Sequence, residues 1–377
     1  MKKYLFVIAY LFLYIQSNAQ VFTNKEVGKK NQVLIDSLKT TDYPYVLPIW
    51  GDKAAKAGFN LPYSAGLGIN YLWQESDLII DNLRVGFNNG PMYNIDNIIR
   101  FDKAIATTNS VSFRPDIWLF PFLNIYSILG KTHGSTEIGA GVWVPDPAAG
   151  SETKILDLHS KVEFDATTFG IGMTPTIGVG GGFLALDMNC AWTDVPQLSK
   201  PTFTYVFGPR LGKNFKLSKP ERAVTVWAGG FRVHLKSATN GSIGLGEVFP
   251  AEEWNTKIQN GKIKVDEAQQ KVDEAQQKVD DWWSTADQNS PVNKAKYEAA
   301  NNALNTAGQV LGAAEVAVGN ISNSSVQYAM DKAPKDQWNF ILGSQYQFSK
   351  SWMIRAEVGF LSSRTQVLTG LQYRFGL

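Results

Sequence analysis

The sequence has little of what a disulfide framework or a metal centre would need. Cys190 is the single cysteine among 377 residues, which excludes an intrachain disulfide and a thiolate metal cluster. The three histidines, His133, His159 and His234, do not share an element with carboxylates at ligand spacing. We therefore expect no metal site and no cofactor.

Long apolar runs and a strong net charge are also missing. After the N-terminal segment, no stretch approaches the ~20 apolar residues of a transmembrane helix, so any insertion into a membrane must use strands. The formal net charge of +2 does not favour a nucleic-acid partner. The chain does have 12% aromatic residues and 33 glycines, a mixture typical of barrel strands, whose individual hydropathy signal is weak.

Alternating side chains dominate the stretch from Val367 to Leu377. Apolar and aromatic residues share one face and polar or small residues share the other, which is the period-two pattern of a strand between two different media. The same alternation recurs upstream. Counted along the chain, the segments are 65–74, 78–88, 95–104, 111–119, 123–130, 162–173, 183–192, 203–216, 223–236, 338–348, 352–361 and 367–377. They predict about 12 antiparallel strands, an even number as in bacterial barrels.

The last of these segments, with its apolar outer face, polar inner face and aromatic residue near the end, resembles the closing strand of a Gram-negative outer-membrane β-barrel. The resemblance implies an all-β transmembrane barrel in the cell outer membrane. It also implies contact with outer-membrane lipids and lipopolysaccharide, and a C-terminal aromatic signal for the barrel assembly machinery. We assign residues 61–377 to the barrel and residues 20–60 to a periplasmic segment or partial plug.

The N-terminus has a pattern typical of an export signal. Lys2-Lys3 precedes an apolar stretch from Tyr4 to Tyr14, and Ala19 lies in a small-residue cleavage site. The apolar stretch is too short to cross a bilayer as a helix. Residues 1–19 are therefore predicted to be a signal peptide, and cleavage after Ala19 resembles the export signals common in Bacteroidota.

The connections between the predicted strands fall into two classes. Short ones rich in Gly, Pro, Asn or Ser are expected in the periplasm, at 89–91, 120–121, 177–182, 217–221 and 349–350. Two long ones, 131–159 and 237–337, are expected outside the cell.

Residues 252–318 break the strand rhythm. The heptad KVDEAQQ at 264–270 recurs at 271–277, and a seven-residue period aligns valines and alanines along one seam. After Pro291 a second alanine-rich stripe follows at helical spacing. These features predict an antiparallel, coiled-coil-like helical hairpin that projects roughly 40 Å from the cell surface.

Trp282 and Trp283 fall near the predicted tip of the hairpin. Exposed aromatics at such a position are often recognition anchors, so the tip is a candidate binding site for an extracellular partner. The alternative is that both tryptophans cover the end of the small alanine seam and serve packing only.

Projecting the inward positions of the strands gives a predominantly basic set of lumen residues. The candidates for solute binding are Arg210, Arg232, His234, Lys236, Arg355, Glu357 and Arg374. A positive interior predicts a porin-like channel for small polar or anionic solutes. The alternative is a ladder of paired charges that fills a closed barrel.

Two other functions are compatible with the pattern. In the first, the barrel only anchors the hairpin, and the protein is a surface-binding or adhesion protein. In the second, His133 and Ser135, with Glu137 or Asp146 orienting the imidazole, form a lipid-directed hydrolase. No recognisable nucleophile motif accompanies His133, so an enzyme is the weakest of the three interpretations.

Overall fold

The computed structural model describes residues 32–377, except residues 41, 197, 199, 220, 236, 246–253 and 322. The predicted signal peptide therefore lies outside the described residues. The strands are β1 (Ala65–Phe87), β2 (Tyr93–Asn94), β3 (Ile99–Phe120), β4 (Leu123–Asp146), β5 (Ser151–Val179), β6 (Gly182–Asp194), β7 (Thr202–Lys216), β8 (Ala223–Leu235), β9 (Ser237–Gly244), β10 (Ser325–Pro334), β11 (Trp338–Gln347), β12 (Trp352–Phe360) and β13 (Arg364–Phe375). The helices are α1 (Gln32–Thr40), α2 (Gly51–Lys56), α3 (Trp254–Thr285) and α4 (Pro291–Val318).

Ten of the strands close into an antiparallel barrel, in the order β1-β3-β4-β5-β6-β7-β8-β11-β12-β13. The barrel closes because β13 pairs back with β1, from Phe375 opposite Ala65 to Arg364 opposite Ser76. Beyond the barrel, β2 and β10 each pair with an extension of β1, and β9 pairs with β10. The all-β barrel is confirmed, and so is the helical insertion, but the predicted count of about 12 strands is wrong.

The count differs because two pairs of predicted strands are single long strands. Segments 65–74 and 78–88 are both parts of β1, and segments 95–104 and 111–119 are both parts of β3. Their pairing continues through the apparent break, with Asp77 opposite Ile105. The alternation is interrupted there because polar side chains occupy the outer face once the strands leave the apolar band. Merging two pairs keeps the number of strands even. The direction in which each later strand crosses the barrel wall is therefore as predicted.

Two of the predicted connections are also misplaced, because the strands beside them are longer than predicted. Residues 89–91, predicted to be a periplasmic turn, follow the far end of β1, opposite the end that carries the short turns. Residues 131–159, predicted to be a long loop, are mostly strand, since β4 runs to Asp146 and β5 starts at Ser151. The short-turn end contains the β3–β4, β5–β6, β7–β8 and β11–β12 connections, which lie at the other four predicted turns. At the second of these, Gly180 and Gly181 both have positive φ, 56° and 78°, which is the backbone of a tight hairpin turn.

The outer face of the barrel is a band of exposed apolar side chains. Its members include Leu67, Ile69, Val111, Phe113, Leu129, Ile171, Met173, Leu211, Leu342, Ile354, Val358 and Leu371. Aromatic clusters border the band at both ends. The ring centroids of Trp352 and Tyr373 are 4.9 Å apart near the short turns, and those of Trp192 and Phe203 are 5.3 Å apart near the opposite rim. An apolar band between two aromatic girdles is the outer surface of a membrane-spanning barrel.

Strand β8 faces the opposite way from the prediction. Trp227, placed on the outside by the pattern, is 6% exposed and points inward, and its indole lies over Gly343 on the paired strand. Arg232 is opposite Trp338 and Phe207, two outward residues, so Arg232 faces out. Both faces of β8 carry apolar and small residues, so the sequence pattern does not distinguish them. A shift of one residue would move every side chain of the strand to the opposite face. The glycine that makes room for the indole lies on another strand, so the local pattern does not contain this information.

The helical hairpin packs on extended strands instead of projecting freely. Beyond the barrel, β1, β3, β4 and β5 continue and, together with β2, β9 and β10, surround α3 and α4; we call this assembly the module. Its core is a continuous set of buried residues: Leu83, Ile95, Ile98, Ile99, Ala140, Val142, Val144, Ile155, Leu245, Val265, Ala268, Val272, Ala275, Val279, Ala300, Ala303, Leu304, Ala307, Leu311, Ala317, Val318 and Ile321. The prediction of a free projection is wrong because the inner faces of the extended strands turn apolar and need a cover.

The two helices have local reasons to form where they do. Ser290 caps α4, its side chain accepting a hydrogen bond from the backbone N–H of Asn293 at 3.4 Å, and Pro291 occupies the first turn. The valines and alanines of the heptad repeat are the buried seam of α3. Within the described part of the chain, no helix combines the length and apolar content that crossing a bilayer would require.

A segment before β1, residues 42–63, docks against the short-turn end. The backbone N–H of Val46 donates to the carbonyl of Leu377 at 2.8 Å, and that of Ile49 donates to the carbonyl of Leu119 at 2.9 Å. Trp50 packs on Phe120 with 5.0 Å between ring centroids. The segment is thus fixed to the rim at β13 and β3, and its role as a partial plug stays a proposal.

Tyr43 makes this docking sensitive to high pH. Burial, with a smaller contribution from Tyr45, raises the pKa of the Tyr43 phenol from 10.0 to about 12. A released segment would lose this proton near pH 10, so docking is fully favoured below pH 10 and weakens as the pH rises to 12. We expect Trp50 fluorescence to report release over this window in the wild type and not in Tyr43→Phe. A Tyr297→Phe control in the module should behave as wild type, and identical curves for all three proteins would contradict the assignment.

Candidate functional site

Four of the seven predicted lumen residues are inside the barrel. Arg210, Arg355, Glu357 and Arg374 point inward, and Glu357 and Arg374 are only 2% and 5% exposed. The assignments of Arg232 and His234 to the lumen are wrong, because both lie on the outer face of β8. Arg232 donates instead to the side-chain oxygen of Gln337 at 2.8 Å. Lys236 lies outside the described residues.

Glu357 is the centre of the interior network. Its carboxylate accepts two hydrogen bonds from the Arg210 guanidinium, at 2.9 and 3.1 Å, and one from the Trp227 indole at 2.7 Å. Arg210 also donates to Asp187 at 3.1 Å. A bidentate arginine pair in a protein interior is both strong and directional.

Asp187 extends the network to the opposite wall. It accepts hydrogen bonds from the Tyr126 hydroxyl at 2.6 Å and from the Thr174 hydroxyl at 2.9 Å. The Arg114 guanidinium stacks on the Tyr126 ring, 3.6 Å from its centroid. No sequence pattern singles out Tyr126, since an inward tyrosine has no distinctive spacing.

These links cross the interior because they join strands that are not neighbours. Arg210 on β7 reaches Glu357 on β12 past β8 and β11, and Tyr126 on β4 reaches Asp187 on β6 past β5. A barrel of this size leaves an interior only slightly wider than its own side chains fill. The network therefore narrows the lumen at this level.

A second ion pair lies in the interior nearer the short-turn end. Arg374 donates to Asp116 at 2.9 Å, and Asn124 and Gln372 donate to the same carboxylate at 2.7 and 2.5 Å. The Nε of Arg374 donates to the backbone carbonyl of Tyr63 at 3.0 Å, which ties the docked segment to the network.

Positive charge exceeds negative charge among the described inward side chains. Five arginines, Arg114, Arg210, Arg355, Arg364 and Arg374, face three carboxylates, Asp116, Asp187 and Glu357. The positive interior predicted from the sequence is therefore present, and all three carboxylates are paired with an arginine. Arg364 lay in a predicted connection and was missed. Its position two residues before the inward Gln366 was the available signal.

The module contains a polar cleft where β1 and β3 separate. It has a volume of about 940 Å³ and is lined by Asp77, Leu78, Ile79, Ile80, Asp81, Asn82, Asp96, Ile99, Arg100, Phe101, Asp102, Lys103, Ala104, Ile105 and Lys335. Several of its charges are already paired: Arg100 contacts Glu152 at 2.7 Å, and Lys103 contacts Glu137 at 2.7 Å. The Lys103 ammonium lowers the pKa of the Glu137 carboxyl, which stays ionised at neutral pH.

The aromatic residues at the hairpin tip are partly used for packing. Trp283 stacks on Tyr297 of α4, with 4.5 Å between centroids and 11° between ring planes. Trp282 lies beside Trp283, 6.1 Å away, and both are half-buried. This geometry explains how the tip is held together, and binding of a partner by Trp282 and Trp283 stays a prediction.

His133 is placed differently from the hydrolase interpretation. Its Nδ1 lies 3.0 Å from Asp165 on the exposed outer face of the β4–β5 extension. Glu137, one of the two predicted orienting groups, is bound to Lys103, and Asp146 accepts a hydrogen bond from the backbone of Ala149. The described residues show no hydrogen bond between Ser135 and His133. They also contain no group of three or more residues arranged to hold a metal ion.

The closed wall, the apolar outer band with its two aromatic girdles and the charged interior together define the compartment. Strands satisfy their backbone groups inside a bilayer only when they close into a barrel without edges, and barrels of this kind belong to the outer membrane. The chain is a β-barrel protein of the cell outer membrane.

Comparisons with known proteins identify no family. No family model and no curated protein matches the sequence. Among solved structures, the β domain of the Bordetella autotransporter Brka matches with 8% identity and a TM-score of 0.34, over 83% of this chain and 100% of that one. The translocator domain of the autotransporter NalP from Neisseria meningitidis matches with 10% identity and a TM-score of 0.29, over 82% and 88%. An outer membrane channel from Pseudomonas putida F1 matches with 8% identity and a TM-score of 0.26, over 83% and 96%. Scores this low assign no function.

Proposed function

We propose that this protein is a surface-binding protein of the outer membrane, in which a closed barrel anchors the module outside the cell. The observation that carries the proposal is the interior network: the lumen is crossed by hydrogen-bonded ion pairs between strands that are not neighbours. On this proposal, the apolar band contacts outer-membrane lipids and lipopolysaccharide, and the barrel is inserted by the assembly machinery.

The module has the properties of a binding domain. It has its own hydrophobic core, so its surface is held in one conformation and less entropy is lost on binding. Its cleft of about 940 Å³ is within the usual size range of small-ligand sites and is rich in charged side chains. These features support recognition of a polar ligand by the module.

Conductance in planar bilayers separates this function from a channel. We expect purified protein to insert without persistent unitary conductance, because Arg210 would have to leave Glu357 before the lumen opens. The control is Glu357→Ala, in which the central link is missing and current should increase. Stable open channels in the wild-type protein would contradict the anchor proposal.

Passage of small anionic solutes is the second candidate function. The surplus of inward arginines favours it, because a positive interior attracts anions. This function predicts wild-type channels with anion selectivity that falls in Arg355→Gln. Cation preference, or the same selectivity in both proteins, would count against it.

A further inference from the structure

One sector of the barrel interior is not covered by the network. The linked side chains run from Arg114 on β3 around the wall to Glu357 on β12, which leaves only β13 and β1 between the two ends. Two inward positions of this sector carry no side chain: Gly370 is opposite Arg355, and Gly68 is opposite Arg114. Arg355 and Arg114 therefore flank a strip of wall whose inward positions are these two glycines and the amides Asn70 and Gln372.

Neither of these arginines has a matching carboxylate. The closest carboxylate oxygen to Arg355 belongs to Glu357, at 3.9 Å, and that group already binds Arg210 and Trp227. Arg114 stacks on Tyr126 and forms no ion pair within 4.0 Å among the described residues. In both side chains the buried Nε has no hydrogen-bond partner in the described part of the chain.

The two positive charges also repel each other. Arg355 is close enough to Arg114 and Arg210 for their charges to act on it, and the carboxylates Glu357 and Asp187 offset this repulsion only in part because both are already bound by Arg210. Like charges in a poorly solvated interior cost free energy unless a counter-charge lies between them. The side chain of Arg355 is 22% exposed although it points into the barrel, so there is open space beside it.

We propose that a small oxyanion of the sulfate or phosphate class binds between Arg114 and Arg355, over Gly68 and beside Asn70. Guanidinium groups present paired N–H donors that match two oxygens of one anion. Asn70, whose side chain lies over Gly370, supplies an amide at the edge of the same site. The anion supplies the counter-charge that Arg114 and Arg355 lack. This inference does not depend on the proposed surface-binding function.

Anion-dependent unfolding of the full-length protein tests the site. The protein, folded in detergent micelles, is titrated with sodium sulfate against sodium gluconate at constant ionic strength, and its unfolding equilibrium is followed by circular dichroism. Sulfate should stabilise it saturably, multiplying the folding equilibrium constant about 100-fold at 100 times the dissociation constant. Arg355→Gln and Arg114→Gln should each weaken the apparent affinity about tenfold, as expected for one charged hydrogen-bonding partner.

Arg232→Gln is the matched control, since Arg232 faces outward at the rim. Sulfate stabilises folded proteins generally by exclusion from their surface, and this variant measures that unsaturable part. Equilibrium dialysis of labelled sulfate against the wild-type protein gives an independent reading, with one anion expected per chain. Equal sulfate effects in all variants, no bound sulfate, or equal stabilisation by chloride would overturn the proposal.

Discussion

Replacing Glu357 with alanine is expected to lower the free energy of unfolding of the barrel by about 3–5 kcal/mol, the usual cost of removing one partner from a buried ion pair. Glu357 is 2% exposed, and it is the acceptor for Arg210 and Trp227. Without it, Arg210 keeps Asp187 as its one carboxylate partner among the described residues, Arg355 loses its nearest counter-charge and the indole N–H of Trp227 is left unpaired. Urea unfolding in detergent or lipid vesicles measures the loss.

Glu137→Ala provides the control for this prediction. Glu137 also forms an ion pair, with Lys103 at 2.7 Å, but the Glu137 side chain is 51% exposed. Solvent screening makes such pairs weak, so the barrel should unfold as the wild type does. If Glu357→Ala were no more harmful than Glu137→Ala, the network would not hold the interior closed.

Val279→Asp is expected to unfold the module while the barrel stays folded. Val279 is 0% exposed between α3 and the rest of the module core. The substitution loses the burial of a valine and places an unpaired carboxyl group in an apolar core, together about 3–5 kcal/mol. Limited trypsin digestion should then cut the lysines of α3 rapidly, whereas the membrane-spanning strands stay protected.

The matched control is the same substitution at an exposed position of the same hairpin. Val292 is 62% exposed in the first turn of α4, where a negative charge interacts favourably with the helix dipole. Val292→Asp should therefore resist trypsin as the wild type does. Equal resistance of both variants would show that the hairpin does not depend on its packed core, and the free projection predicted from the sequence would regain support.

Local periodicity determined the features that need only one segment to be recognised. The alternation in strands such as Val367–Leu377 follows from the pleat of a strand between hydrocarbon and a polar interior, so it identified the barrel and its outward face. The repeated heptads determined the seam of α3 in the same way. Inward Arg210, Arg355, Glu357 and Arg374 could be read from the pattern because each lies in a strand whose two faces differ clearly.

The tertiary structure decided what depends on contacts between distant segments. Strand β1 continues past Asp77 because β10, more than two hundred residues later, pairs with its extension. The face of β8 is set by Gly343, which gives Trp227 its room, and not by β8 itself. The hairpin packs on the extended strands because the inner faces of β4 and β5 become apolar beyond the membrane. Side-chain alternation is a property of one strand, whereas strand length, facing and the pairing of interior charges are properties of the closed wall, and only the assembled barrel specifies them.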